Sequence, residues 1–271
     1  MPEKPETSTG AKSLLKELKR QGVKRFFGYP GGVLLGLYDE LYGEDELMHI
    51  LVRHEQGGVH AAEGYAKVAG RPGVVLATSG PGATNLVTGI ADAYMDSVPI
   101  ICLTGQVPTF GIGTDFFQEA DITGITYPIV KHSYLVKKPE NLAKAVANAF
   151  HICQTGRPGP VLIDIPMDVQ KYDISNVNIP NQNSSINKFT NTNIFKNLID
   201  DLNNSKKPLI LVGGGIRTSN SSESFRNFLN TSVSPFLSEL THSLSRYGAF
   251  ENGLNVYIKF ILTVIAFSLF W

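Results

Sequence analysis

The sequence predicts an α/β protein: a parallel-sheet domain with helices on both faces, followed by an incomplete second α/β domain. Three observations carry this. Short apolar, β-branched runs recur through the first part of the chain. A glycine-rich turn follows most of them, and segments with apolar residues at helical spacing separate them. Strands alternating with helices require βαβ units, right-handed crossovers and a mostly parallel sheet. The 271 residues suffice for one large or two ordinary domains with real cores.

The elements follow in order. Residues 11–21 place Leu14, Leu15 and Leu18 on one helical face, and Gly22 ends the helix. Residues 23–27 form a strand, Gly28-Tyr29-Pro30-Gly31-Gly32 its turn, and 33–42 a second helix. Residues 48–52 are short, apolar and β-branched and read as a buried strand. Glu55 then opens a helix to residue 69, with Val59, Ala62, Ala66 and Ala69 on one face. Residues 73–78 are a strand, 79–85 its loop, and 83–94 a helix. Residues 98–104 are a strand closed by Gly105-Gln106-Val107-Pro108. Residues 109–127 form a long polar and aromatic loop with a short helix near Gln118. Residues 139–154 are a helix and 161–165 a strand. The expected boundaries are a first domain over 1–171, an Asn-, Ser- and Pro-rich linker over 172–193, and a second domain over 194–271. The second domain has a strand at 207–212 and a turn at Gly213-Gly214-Gly215.

Composition excludes several functions. A formal net charge of +0 gives no global field for nucleic acid or anionic membranes. Cys102 and Cys153 sit in apolar runs and read as buried free thiols of a reducing compartment. No Cys/His group has zinc spacing. Neither a signal peptide nor an Arg-rich transit segment opens the chain, which places it in the cytoplasm or, if plastid-encoded, the plastid stroma. The apolar run over 260–271 is too short for a bilayer, which needs about 20 residues.

The chemistry points to Glu55. It stands where a strand ends and a helix begins, the edge at which open α/β sheets bind ligands. A first-turn Glu can serve the helix dipole alone. However, the turns at 29–32, 79–85 and 105–108 all follow strands and converge on the same rim with Asn85, Tyr29 and Gln118. The 79–85 loop lacks both the Lys of a Walker loop and G-x-G-x-x-G spacing, so a nucleotide triphosphate is not its ligand. Glu63, two helical turns on, reads as one half of a structural pair. His54 and His60 are expected to face elsewhere.

Several blocks carry a resemblance: Tyr29-Pro30-Gly31-Gly32, Arg53-His54-Glu55-Gln56-Gly57, Ala61-Ala62-Glu63-Gly64-Tyr65-Ala66, Thr78 through Asn85, Gly105-Gln106-Val107-Pro108, Ile112-Gly113-Thr114-Asp115, Phe117-Gln118-Glu119-Ala120-Asp121 and Gly156-Arg157-Pro158-Gly159-Pro160-Val161. Together they resemble the N-terminal part of the acetolactate synthase (acetohydroxyacid synthase) large, catalytic subunit, a thiamine diphosphate-dependent family. The likeness runs from about residue 10 to 169, then weakly to 215. The first three blocks are shared widely among thiamine diphosphate enzymes, and the block from Gln106 to Asp121 narrows the match.

The resemblance implies a condensation of pyruvate with pyruvate or 2-oxobutyrate, with loss of CO2, in branched-chain amino acid biosynthesis. Glu55 would bond N1′ of the cofactor's aminopyrimidine and promote removal of the thiazolium C2 proton. Tyr29, Pro81 and Asn85 match positions around the pyrimidine, and Gln118 matches one near the reacting centre. Arg157 and Gly213, Gly214 and Gly215 match positions that hold FAD. A homo-oligomer and a regulatory subunit are the implied partners. Mg2+ and the diphosphate belong to a Gly-Asp-Gly motif with a later Asn, which this sequence does not contain. Met167 stands where most relatives carry Lys. The segment after about 231 departs from the family, as a frameshift or truncation would produce. The alternatives are a non-catalytic piece retaining the dimerising pyrimidine-side domain, or another thiamine diphosphate enzyme such as a pyruvate oxidase.

Overall fold

The structure, a computed structural model, describes residues 8–174, 192–205, 213, 215–216, 219 and 221–232. The chain divides into two compact units, Met1–Ile186 and Asn187–Trp271. In the first, six strands among the described residues form one sheet: β1 (Arg25–Gly28), β2 (Met48–Leu51), β3 (Gly73–Ala77), β4 (Ile100–Gln106), β5 (His132–Leu135) and β6 (Val161–Pro166). Their order is β2-β1-β3-β4-β6-β5 and every pairing is parallel. The helices are α1 (Gly10–Arg20), α2 (Leu35–Leu41), α3 (Glu55–Ala69), α4 (Pro81–Thr84), α5 (Val87–Met95), α6 (Ile122–Thr126), α7 (Leu142–Gln154) and α8 (Met167–Lys171).

The period of two along each strand puts helices on both faces. Val74, Leu76, Ile101, Leu103, Val161 and Ile163 pack with Leu14, Leu18, Leu37, Val146 and Phe150 of α1, α2 and α7. The intervening Val75, Ala77, Ile100, Cys102 and Leu162 pack with Val59, Ala62, Ala66, Leu86 and Ile90 around α3 and α5. Both faces of the central strands are therefore buried, which explains their unbroken apolar runs. The two free cysteines, Cys102 and Cys153, are buried on opposite faces, and burial pushes both thiols up.

Several expectations need correction. The strand at 48–52 is not buried. β2 is a sheet edge paired only with β1, leaving Met48 59% and Leu51 65% exposed. The helix expected over 33–42 begins as a 3-10 turn, Gly32–Leu34. The helix expected over 83–94 is broken into α4 and α5, and Ala69 is exposed at the end of α3. β4 runs two residues further than expected, so Gly105 and Gln106 belong to it. No helix forms at Gln118; its φ is +59°, and the short helix of this loop is α6. β5 was not anticipated. Its sequence, HSYL, has no apolar run, because as the opposite edge it is only half-buried.

In the second unit the described helices are α9 (Thr192–Asn204) and α10 (Ser222–Ser232). The strand expected at 207–212, most of the linker and the apolar end of the chain lie outside the described residues. Among the described residues no helix is long and apolar enough to cross a membrane.

Candidate functional site

β1 has β2 on one side and β3 on the other, so the strand order reverses at β1. The turns after β1 and β3 flank that point, the place where open α/β sheets receive ligands. Thr78 joins them. A Cβ built on Gly31 would lie 2.3 Å from the Thr78 hydroxyl oxygen, and one on Gly82 2.6 Å from its methyl. Only residues without a side chain permit that approach. Gly80, with φ +57°, turns the chain between them and lies against the Gln118 carbonyl, which a Cβ there would meet at 2.6 Å.

Glu55 is the first residue of α3. His54 caps the helix, its Nδ1 accepting from the Gln56 N–H at 3.1 Å, so the histidine ring is committed to the backbone. The Glu55 side chain runs the other way and is buried, at 8% exposure. Its Oε2 accepts a hydrogen bond from Asn85 Nδ2 at 2.9 Å. Its Oε1 lies 3.1 Å from where a Gly82 Cβ would stand. The carboxylate is thus fixed by the 79–85 turn and open on its second oxygen. Thr78 Oγ1 and Ser79 Oγ, in the same turn, are buried and have no hydrogen-bond partner among the described residues. Buried polar groups are rarely left so, since each costs about 1–3 kcal/mol. Two orphan hydroxyls and a one-armed carboxylate fit a polar ligand between them.

The other candidates divide. Pro81 opens α4, and Tyr29 stands on the rim with its N–H bonded to Leu76 O and its side chain partly exposed. Gln118 reaches the rim by its backbone, with its side chain exposed. Arg157 is placed elsewhere. It precedes β6, at the amino edge of the sheet, and donates to Ser97 Oγ and to the carbonyls of Tyr94 and Met95, capping α5. Gly213 and Gly215 belong to the second unit, and Gly214 lies outside the described residues. Glu63 is a structural partner, as expected, held by Lys67 Nζ at 2.6 Å and His60 Nδ1 at 3.4 Å. His60, Glu63 and Asp92 form the one group of three His, Asp or Glu side chains among the described residues compact enough for an ion, and Lys67 already pairs with its Glu63.

Sequence reasoning missed the most deeply buried carboxylate among the described residues. Asp164 of β6 is 1% exposed and accepts from Thr104 Oγ1 at 2.7 Å and Gln106 Nε2 at 2.8 Å. A lone acid inside the apolar run VLIDIP was the available signal. Burial pushes its carboxyl up to about 7, against the pull of the Thr104 and Gln106 bonds and with a smaller push from Asp121. The folded chain therefore holds this proton more tightly than the unfolded one. The stability it contributes is complete below about pH 4 and is lost as pH rises through about 7. Asp164→Asn should remove that slope. In urea unfolding its gain over the wild type should be larger at pH 8 than at pH 5, and a pH-independent difference would contradict the assignment.

Comparison with known proteins fits this geometry. Residues 8–125 match the family described as thiamine pyrophosphate enzyme, N-terminal TPP binding domain. The chain is 48% identical over 242 residues to the acetolactate synthase large subunit of Lactococcus lactis, covering 88% of this chain and 42% of that one. It is 52% identical over 217 residues to the acetolactate synthase of Arthrospira platensis, covering 76% and 37%. To the acetolactate synthase large subunit of Buchnera aphidicola from Schizaphis graminum it is 46% identical over 255 residues, covering 92% and 44%. The last alignment carries the likeness past residue 231, further than the sequence blocks alone trace it. The chain spans about two fifths of the length of these curated relatives.

Proposed function

With residues 8–125 belonging to the N-terminal TPP-binding domain family of thiamine pyrophosphate enzymes, we propose that this chain supplies the pyrimidine side of the catalytic site of an acetolactate-forming enzyme. The reaction joins pyruvate to pyruvate or 2-oxobutyrate with loss of CO2. The observation that carries this reading is Glu55, buried at the carboxyl edge of a parallel sheet and held on one oxygen by Asn85.

When bound, thiamine diphosphate supplies an acidic thiazolium carbon and an electron sink for decarboxylation. The protein's part is to place and polarise it. Glu55 would hold a proton at N1′ of the aminopyrimidine, its other oxygen being held by Asn85. Asn85 fixes the carboxylate's rotamer, so the geometry exists before the ligand arrives. Tyr29, Pro81 and the 79–85 turn would wall the pyrimidine, and Gln118 would border the reacting centre.

Mg2+ and FAD enter this reading only through the resemblance. Among the described residues the one compact group of three His, Asp or Glu side chains is His60, Glu63 and Asp92, which does not include Glu55, and Arg157 is engaged at the opposite edge, so neither group is assigned a role in the steps above. A homo-oligomer, with the diphosphate side of the site completed from outside this domain, is the assembly the reading calls for; a regulatory subunit is its second partner.

The test is product analysis. The chain, assembled with a partner that supplies the diphosphate side and given pyruvate, thiamine diphosphate, Mg2+ and FAD, is expected to form acetolactate. Acetyl phosphate and peroxide would place it with the pyruvate oxidases, and a chain that neither binds the cofactor nor turns over pyruvate would refute the reading.

A further inference from the structure

The loop over 109–121 carries Gln118 to the rim, and hydrogen bonds to β4 and α8 hold its two ends. Glu119 folds the loop on itself, its carboxylate accepting from the N–H groups of Gly113, Thr114 and Phe116. At its start, Thr109 is bonded to Asp168. At its far end, the Ala120 carbonyl accepts from Gln106 Nε2 at 3.0 Å. The same Nε2 donates its other hydrogen to Asp164 Oδ2 at 2.8 Å, and Gln106 Oε1 accepts from the Val107 N–H at 2.8 Å. Gln106 is 4% exposed. Its amide has one permitted orientation, because a flip would set oxygen against both a carboxylate and a carbonyl.

We infer that Gln106 and Asp164 are positioning residues that latch the Gln118 loop onto the carboxyl ends of β4 and β6. The inference rests on the reading above for what the loop borders, but the latch itself is a property of the folded chain. Ala120 is two residues from Gln118, and the Gln118 carbonyl abuts Gly80 of the turn that holds Glu55. A buried pair in the sheet thereby sets the distance between the loop and the rim. Asp164 orients Gln106, and of the two Gln106 is the one that bonds the loop.

The experiment exchanges the pair. In Gln106→Glu/Asp164→Asn the carboxylate and amide trade places. The buried partners still bond, but at an alkaline pH that ionises it residue 106 has no hydrogen left for Ala120. Asp164→Asn alone keeps both links, since its amide oxygen still accepts from Gln106. Backbone hydrogen exchange is measured on the 271-residue chain without cofactor, and thiamine diphosphate affinity by fluorescence titration.

The single variant is expected to match the wild type in exchange over 113–121 and in cofactor affinity. The exchanged pair should keep native protection in β4 and β6, while amides over 113–121 exchange about ten-fold faster and the cofactor binds about ten-fold more weakly, the loss of one net hydrogen bond. Wild-type exchange in the loop of the exchanged pair overturns the latch. Faster loop exchange with unchanged affinity overturns the positioning role. Should the exchanged pair not fold, Gln106→Met, which removes the donor at similar volume, must show the same loop-confined opening. A wild-type chain that does not bind thiamine diphosphate counts against the proposed function, and the exchange measurement still decides the latch.

Discussion

Glu55→Gln is expected to slow exchange of the C2 proton of bound thiamine diphosphate by about 10²–10⁴-fold, with the melting temperature within about 2 °C of wild type. The amide has the shape of the carboxylate, and its oxygen can still accept from Asn85 Nδ2, so the close approach to Gly82 survives. What it cannot do is hold a proton at N1′. Exchange is read by quenched-flow NMR on chain saturated with cofactor, which separates chemistry from binding. Glu63→Gln is the control. Glu63 is buried as well, but its partner is Lys67, at 2.6 Å. Breaking that pair removes the buried one of the two carboxylates that Lys67 contacts, Asp96 remaining at 2.9 Å, and should lower stability while leaving C2 exchange alone. Wild-type exchange in Glu55→Gln would remove the basis of the proposed chemistry, and loss of exchange in Glu63→Gln would shift the acid to the wrong turn of the helix.

Glu55 was legible in the sequence because its position follows from the two strongest local signals, the end of a β-branched run and the start of a helical period. The same logic found the turns at 29–32 and 79–85, since glycine clusters after strands have few other uses. It failed where burial depends on neighbours distant in sequence. Residues 48–52 look like a core strand, but the topology leaves them at an edge with one partner. β5 is invisible for the converse reason: an edge strand needs no apolar run, and HSYL has none. Arg157 sits in a family block, yet its guanidinium serves the α5 carbonyls, a contact across some sixty residues of chain. Gln106 and Asp164 were passed over because a glutamine in a turn block and one acid in a strand carry no pattern. Their meaning comes from pairing across β4 and β6, where Gln106 lies opposite Pro166 and Thr104 opposite Asp164.

Gly73→Ala is expected to destabilise the first unit by about 3 kcal/mol, a fall of roughly 6–12 °C in melting temperature. Gly73 opens β3, and a Cβ there would lie 2.0 Å from the Ala62 carbonyl oxygen and 3.0 Å from the Ala62 Cα. The obstacle is helix backbone, which cannot rotate aside as a side chain can, so α3 must lift from the sheet. Glu55 rides on that helix two turns away, and its bond to Asn85 spans from α3 to a turn anchored on β3 itself. The same methyl should therefore weaken thiamine diphosphate binding by more than the stability loss alone explains. Gly64→Ala, on the same helix, provides the opposite sign. Nothing lies within 4 Å of its Cβ position, and alanine in an exposed helix interior is worth about 1 kcal/mol over glycine. Melting curves of the two variants should move in opposite directions. If both fell, the close approach of α3 to β3 would not be what sets Glu55 against the rim.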